Sequence, residues 1–172
     1  MAIFFTSDTH FGHENIITYC DRPFKSFLEM DEALIKAWNL VVKPEDEVYH
    51  LGDVFFGNLT YAGEVLDRLN GVKTLIRGNH DYKTGFLKEF FAEVVKEKTL
   101  NLPEGTFYLK HKPQETWDTE FHLHGHTHGT LENFPVNNRM DVGVDCSSTY
   151  APFSLTEVLE LLGERHVLHE NT

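Results

Sequence analysis

Residues able to hold a metal recur at five places in this chain, each at the end of a stretch that reads as a β-strand. They are Asp8-Thr9-His10, Gly52-Asp53, Gly78-Asn79-His80-Asp81, a lone His111 and Gly125-His126-Thr127-His128. Carboxylate, carboxamide and imidazole together form a donor set for borderline divalent metals, and no thiolate stands among them. Residues i and i+2 leave a strand end on the same side, so Asp8 and His10 can clasp one ion, as can His126 and His128. Asp53 brings a carboxylate whose two oxygens can serve two ions, and Asn79 a neutral carbonyl oxygen. Gly78 and Gly125 lack a Cβ and let backbone pass close beside a crowded site. A catalytic ion needs several such ligands and an open position for water or substrate, so the pattern points to metal-assisted catalysis.

The elements that must carry these groups follow from periodicity. Ala2 to Ser7 is an apolar strand, and the residues after it open a short helix. From Ser26, which has capping-box spacing with Glu29, apolar residues recur at three- and four-residue steps to Val41, and Pro44 ends the helix. Glu47 to Leu51 is a strand, Tyr61 to Leu69 a helix ended by Asn70-Gly71, Val72 to Ile76 a strand, and Gly85 to Phe91 a helix. This alternation predicts parallel strands with helical crossovers. The second half predicts strands at Val94 to Leu100, Thr106 to Lys110, Glu120 to His124 and Arg139 to Val144, with turns at Pro103-Glu104-Gly105 and near Asn137-Asn138. A helix over Ser154 to Leu162, ended by Gly163, and an edge strand over Arg165 to Leu168 complete an arrangement expected to be more antiparallel.

The 172 residues, 41% of them hydrophobic, suit one domain over 1–172 with a filled core. No apolar run is long enough to span a membrane, and the N-terminus lacks the basic region of a signal peptide. Cys20 and Cys146 lie far apart in no metal or redox pattern, which fits a cytoplasmic protein with free thiols. A net charge of −12 repels polyanions and argues against a broad grip on duplex nucleic acid.

The five elements, in this order, resemble the calcineurin-like metallophosphoesterase superfamily. Its pattern is Asp-x-His, Gly-Asp, Gly-Asn-His-Asp/Glu, a lone His, then Gly-His-x-His, and the resemblance runs from Asp8 to His128. It implies an α/β fold, a four-layer αββα sandwich of two mixed β-sheets flanked by helices. It implies one metal on Asp8, His10, Asp53 and His128 and a second on Asp53, Asn79, His111 and His126, with Asp53 bridging. His80 would be the catalytic histidine beside the leaving group. The implied activity is hydrolysis of phosphomonoesters or phosphodiesters. Two ions about 4 Å apart would share a water and bring its pKa near neutrality, giving a hydroxide that attacks phosphorus in line. His80 would neutralise the leaving oxygen. Manganese is the first expectation for the two divalent ions, with iron, nickel and zinc open.

The chain departs from the protein Ser/Thr phosphatase branch after Gly52-Asp53. There that branch carries a further Asp that orients the catalytic His; here stand Val54-Phe55-Phe56. Phe56 cannot take that role, which leaves Asp81 or a backbone group and weighs against phosphoprotein substrates. The expected substrate is a small phosphate ester, nucleotides included, entering an open site. His13, one helical turn from His10, and Arg22 are candidates to contact its phosphate, with an exposed helix position the plainer alternative. Arg77 reads as a surface charge. His50, His122 and His124 read as structural imidazoles within strands, and His166 and His169 as solvated. Two other functions are open. A non-catalytic scaffold of this fold would usually lack the His of Gly-Asn-His, present here as His80. A single-strand nuclease is opposed by the acidic balance and the lack of a basic aromatic stripe.

Overall fold

The computed structural model describes residues 1–131 and 138–169, with side chains as far as Gly163. Three strands, β1 (Ile3–Thr6), β2 (Glu47–His50) and β3 (Val72–Ile76), run parallel. Helices α1 (Glu14–Tyr19), α2 (Phe27–Val41) and α3 (Leu59–Leu66) make the crossovers. The short α4 (Thr84–Leu87) leads to β4 (Glu93–Val95), parallel to β3. A second sheet holds β5 (Glu97–Leu102), β6 (Gly105–Lys110), β7 (Phe121–His124) and β8 (Arg139–Asp141). The chain then returns to the first sheet with β9 (Phe153–Ser154), antiparallel to β1, and ends in α5 (Leu155–His169). The result is an α/β fold of two mixed sheets flanked by helices.

Period-2 alternation explains the layering. In the first sheet Phe4, Val48 and Leu75 point to a core shared with Met30, Leu34 and Trp38 of α2 and with Val65 and Leu66 of α3. Their neighbours Phe5, Tyr49 and Ile76 point the other way, into a core shared with Phe107, Leu109 and Leu123 of the second sheet and Val158 and Leu162 of α5. A parallel sheet buried on both faces accounts for strands without polar alternation. The α2 start is capped as its sequence predicts: Ser26 Oγ accepts from Glu29 N at 3.3 Å, while the Glu29 carboxylate accepts from Lys25 N at 2.8 Å. Ser26→Ala is expected to cost about 1 kcal/mol, a fall of roughly 2–4 °C in Tm, readable by thermal unfolding.

Two expectations need correction. Val94 to Leu100 is not one strand: it breaks at Lys96, β4 joining the first sheet and β5 the second. Alternation continues through such a switch, so the pattern carries no mark of it. The second half is, as expected, more antiparallel than the first, through β5–β6 and β9–β1, but it is mixed, because β6–β7 and β7–β8 are parallel. Long connections after Lys110 and His124 bring the chain back to its starting end. Arg165 to Leu168 forms no strand, since α5 continues through Gly163 to His169. One interior glycine costs about 1 kcal/mol against alanine, too little to stop a helix rich in Leu and Glu. The two-residue β9 is too short to leave a pattern. Asn137 and the side chains of His166 and His169 lie outside the described residues. No helix among the described residues is long and apolar enough to cross a membrane.

Candidate metal centre

The loops after β1 and β2 are zipped together beyond their strands. Asp8 N donates to Gly52 O (2.9 Å), His10 N to Asp53 O (3.1 Å) and Phe11 N to Val54 O (2.9 Å). Among the described residues eight non-glycine positions have positive φ, and five of them are Asp8, His10, Asp53, His126 and His128. A left-handed backbone costs a residue with a side chain, and such strain collects where surroundings force side chains into a working position. Buried carboxylates do the forcing. Asp81 accepts from Asp53 N (2.9 Å), Val54 N (3.0 Å) and Gly78 N (2.8 Å), tying the second and third loops. Asp141 accepts from Thr127 Oγ1 (2.6 Å), Gly129 N (3.1 Å) and Gly143 N (2.8 Å), fixing the Gly-His-Thr-His turn. The glycines are required by contact: a Cβ on Gly78 would strike the Asp53 carboxylate, and one on Gly125 would strike Ser7 Oγ and Asp8 Oδ2.

These constraints bring the seven sequence-predicted ligands into two adjoining groups. Asp8, His10 and His128 converge in one and Asp53, His111 and His126 in the other, each with donor atoms within 4.8 Å of one another. Asp53 Oδ2 stands between them, 3.8 Å from His10 Nε2 and 3.4 Å from His111 Nε2. Asn79 Oδ1 lies 3.2 Å from the same His111 nitrogen. Two imidazoles have a fixed tautomer. His111 Nδ1 donates to Leu51 O (2.7 Å) and His128 Nδ1 to Asp145 Oδ2 (2.6 Å), leaving each Nε2 to the centre.

The unpartnered atoms test whether a cation fits. Asp8 Oδ1 and both nitrogens of His10 are buried with no hydrogen-bond partner. The free electron pair of a neutral His111 would face two further acceptors, Asp53 Oδ2 and Asn79 Oδ1, an arrangement that needs a second proton or a cation between them. Burial pushes the Asp8 carboxyl up to about 7 and the His10 imidazole down to about 3, so these neighbours, 3.9 Å apart, form no ion pair at neutral pH. Burial also works to raise Asp53, but the hydrogen bond and charge of His111 and the His80 N–H hold it well below the usual carboxylate range. Acceptors crowded at 3.2–3.9 Å, one carboxylate strongly ionised, fit divalent cations.

His80 projects at the rim, its side chain 37% exposed, with Nε2 3.9 Å from Asp53 Oδ2 and its backbone N–H donating to Asp53 Oδ1 at 2.9 Å. Asp81 does not orient its imidazole, because three backbone N–H groups occupy that carboxylate. The ring lies instead edge-on to Phe56 and Tyr82, at centroid distances of 5.5 and 6.2 Å, and 5.9 Å from His10. His13 stacks on Phe56 at 4.4 Å, also beside His10.

Arg22 is not at the substrate face. Its guanidinium is fully buried and uses every donor inward: Nε and Nη2 to Asp145 (2.7 and 2.8 Å), Nη2 also to Asp8 O (2.8 Å), and Nη1 to Thr9 O (3.1 Å) and Met30 Sδ (3.3 Å). Residues absent from the sequence reading emerge here, above all Asp145 and Asp141. No local motif could reveal Asp145, whose partner is 123 positions away. Cys20 lies beside His128 and Asp145, although that carboxylate is already taken by Arg22 and His128.

The strand histidines are structural. His50 Nδ1 accepts from Gly52 N (3.2 Å), its Nε2 meets Thr9 Oγ1 (3.0 Å), and that hydroxyl donates to Val54 O (2.9 Å). His122 Nδ1 donates to Tyr108 O (3.0 Å), and Nε2 accepts from Gln114 N (3.1 Å). Burial pushes His122 down to about 4. The unfolded chain gains this proton near pH 6.5, whereas the folded protein resists until about 4, so the stability His122 provides is complete above 6.5 and is lost as pH falls toward 4. The advantage of wild type over His122→Gln is expected to shrink by about 2 kcal/mol between pH 7 and pH 5. Parallel urea-unfolding curves for the two proteins at both pH values would contradict this.

The chain is similar in sequence and fold to known proteins. Residues 1–138 match the model of the calcineurin-like phosphoesterase superfamily domain. The Methanocaldococcus jannaschii protein MJ1445 is 37% identical over 175 residues, covering 96% of this chain and 94% of that protein. Gene 66 protein of Mycobacterium phage D29 is 39% identical over 195 residues, covering 94% and 96%. The crystal structure of AQ665, a protein of unknown function from Aquifex aeolicus, superposes with a TM-score of 0.77 at 28% identity, covering 93% of this chain and 98% of that one. The chain therefore belongs to the calcineurin-like phosphoesterase superfamily.

Proposed function

We propose that this protein is a dinuclear metal-dependent phosphoesterase, hydrolysing phosphomonoesters or phosphodiesters of small molecules in the cytoplasm. One observation carries the reading: a single carboxylate oxygen, Asp53 Oδ2, lies 3.8 Å from His10 Nε2 of the Asp8–His10–His128 group and 3.4 Å from His111 Nε2 of its own group with His126. Two divalent ions, manganese by the oxygen-and-imidazole character of the donors, would supply Lewis acidity and a lowered pKa for water. The protein's own groups do the rest. Asp8, His10, Asp53 and His128 would hold one ion, and Asp53, Asn79, His111 and His126 the other. Leu51 O and Asp145 keep the imidazole nitrogens of His111 and His128 turned inward with their electron pairs free. In the reaction an oxygen of water bonds to phosphorus and its proton passes to solvent, the bond to the leaving oxygen breaks, and His80 Nε2 gives that oxygen a proton and regains one from solvent. Phe56 and Tyr82 hold the His80 ring, and His13, stacked on Phe56, contacts the ester from the same side.

The test measures metal and turnover together. The full chain reconstituted with Mn2+ is expected to hold two ions and to hydrolyse bis(4-nitrophenyl) phosphate or 4-nitrophenyl phosphate. Its Tm should rise with metal concentration, as for any ligand bound by the native state alone. Two bound ions without hydrolysis of any phosphate ester would turn the assignment to a non-catalytic scaffold.

A further inference from the structure

The chain is acidic as a whole, 27 carboxylate residues against 15 basic ones, yet four of those bases line one groove. Arg77, Lys96, Lys110 and Lys112 surround a space of about 310 Å3 whose inner wall is Asn79 and His111. Whatever occupies it therefore touches the candidate metal centre directly. The fold gathers these cations from separate elements. Arg77 follows β3 and immediately precedes the Gly-Asn-His-Asp segment, its N–H donating to Val95 O at 2.8 Å. Lys96 sits where the chain leaves the first sheet for the second, Lys110 ends β6, and Lys112 follows His111.

Among the described residues, only Lys110 of these four has an ion-pair partner, Glu97 at 2.9 Å, with Tyr108 Oη at 3.2 Å. Among the described residues Arg77, Lys96 and Lys112 have no ion-pair partner, and Arg77 Nε is buried without an acceptor. An unmade hydrogen bond on that one buried nitrogen is costly, while the half-buried Arg77 side chain itself lines the groove. Like charges left uncompensated around a concave site focus a positive potential there, against the net field of the molecule. The space lies at the small end of the ~300–1,000 Å3 range of ligand sites, which suits part of a small molecule and not a stretch of nucleic-acid strand.

We propose that this groove binds a second phosphate group, so that the substrate is a phosphate ester bearing a further phosphoryl group. The inference rests on the phosphoesterase reading for its scissile phosphate, at the metal centre. The neighbouring phosphate lies against Arg77, Lys96 and Lys112 and selects such esters over simple ones.

Two measurements on the full chain test it. In calorimetric titrations of the metal-free and the Mn2+-loaded protein, inorganic pyrophosphate is expected to bind at least tenfold more tightly than orthophosphate. That preference should shrink about tenfold in Lys96→Gln/Lys112→Gln, whose replaced side chains are exposed and outside the core. In turnover, the ratio of kcat/KM for ATP over bis(4-nitrophenyl) phosphate should fall by a similar factor in the same variant. Equal binding of the two anions, or an unchanged ratio, overturns the groove while hydrolysis of the aryl diester leaves the enzyme reading standing. Variant-sensitive pyrophosphate binding with no ester hydrolysed does the reverse, supporting the groove against the reading. Tighter, equally variant-sensitive binding of an oligothymidylate overturns the small-molecule assignment in favour of a single strand.

Discussion

Asp53→Asn is expected to lower hydrolysis of bis(4-nitrophenyl) phosphate by on the order of a thousandfold and to reduce bound metal below two ions per chain. The carboxylate stands where the loops after β1, β2 and β3 meet, with Oδ2 at 3.8, 3.4 and 3.9 Å from the Nε2 atoms of His10, His111 and His80. A carboxamide has the same shape but no charge. Its carbonyl oxygen can keep the hydrogen bond that Oδ1 receives from His80 N at 2.9 Å. The amide nitrogen must then point at His10 and His111, offering two N–H donors where a cation needs an electron pair. The substitution thus preserves packing and inverts the chemistry of the shared atom, which separates function from folding. Metal analysis, circular dichroism and turnover on one preparation check it. A folded Asp53→Asn protein with wild-type turnover would sink the proposed mechanism.

Arg22→Met is expected to destabilise the protein by roughly 3–5 kcal/mol, a loss of roughly 6–20 °C in Tm for a chain of this size. Methionine fills similar space but strands the Asp145 carboxylate beside His128 and leaves Asp8 O and Thr9 O without their donors. A buried carboxylate deprived of one of its two partners, beside two carbonyls left without donors, is among the few single changes that cost this much. Arg22→Lys should recover little, because an ammonium cannot spread donors in two directions across Asp145 and the β1 loop. The opposite outcome, an unchanged Tm with a raised KM, would restore Arg22 to the substrate face. Thermal unfolding beside steady-state kinetics decides between them.

The same arginine marks how far the sequence could be read. Its place near the first ligands suggested a substrate contact, and it proved to be the support beneath them. Motif residues were legible because their chemistry demands particular side chains at fixed local spacing: Asp8 with His10, His126 with His128, and the glycines that the Asp53 and Asp8 carboxylates press against. Their supports were not legible. Asp81, Asp141 and Asp145 act through backbone N–H groups or through residues distant in the chain, and such bonds impose no spacing. The basic groove was hidden for a further reason, since Lys96 reaches it only through the break between β4 and β5.

What the sequence alone determined is the family, the order of strands and helices in the first half, and the set of side chains that can meet a metal. These depend on short-range periodicity and on residue types that few other demands would gather. Tertiary structure decided the rest: which sheet each later strand joins, that β6, β7 and β8 run parallel, that one oxygen of Asp53 lies between the two ligand groups, and that four scattered cations face the site. Those outcomes follow from loop closure and packing between residues far apart in the chain, and local propensity carries no record of such contacts.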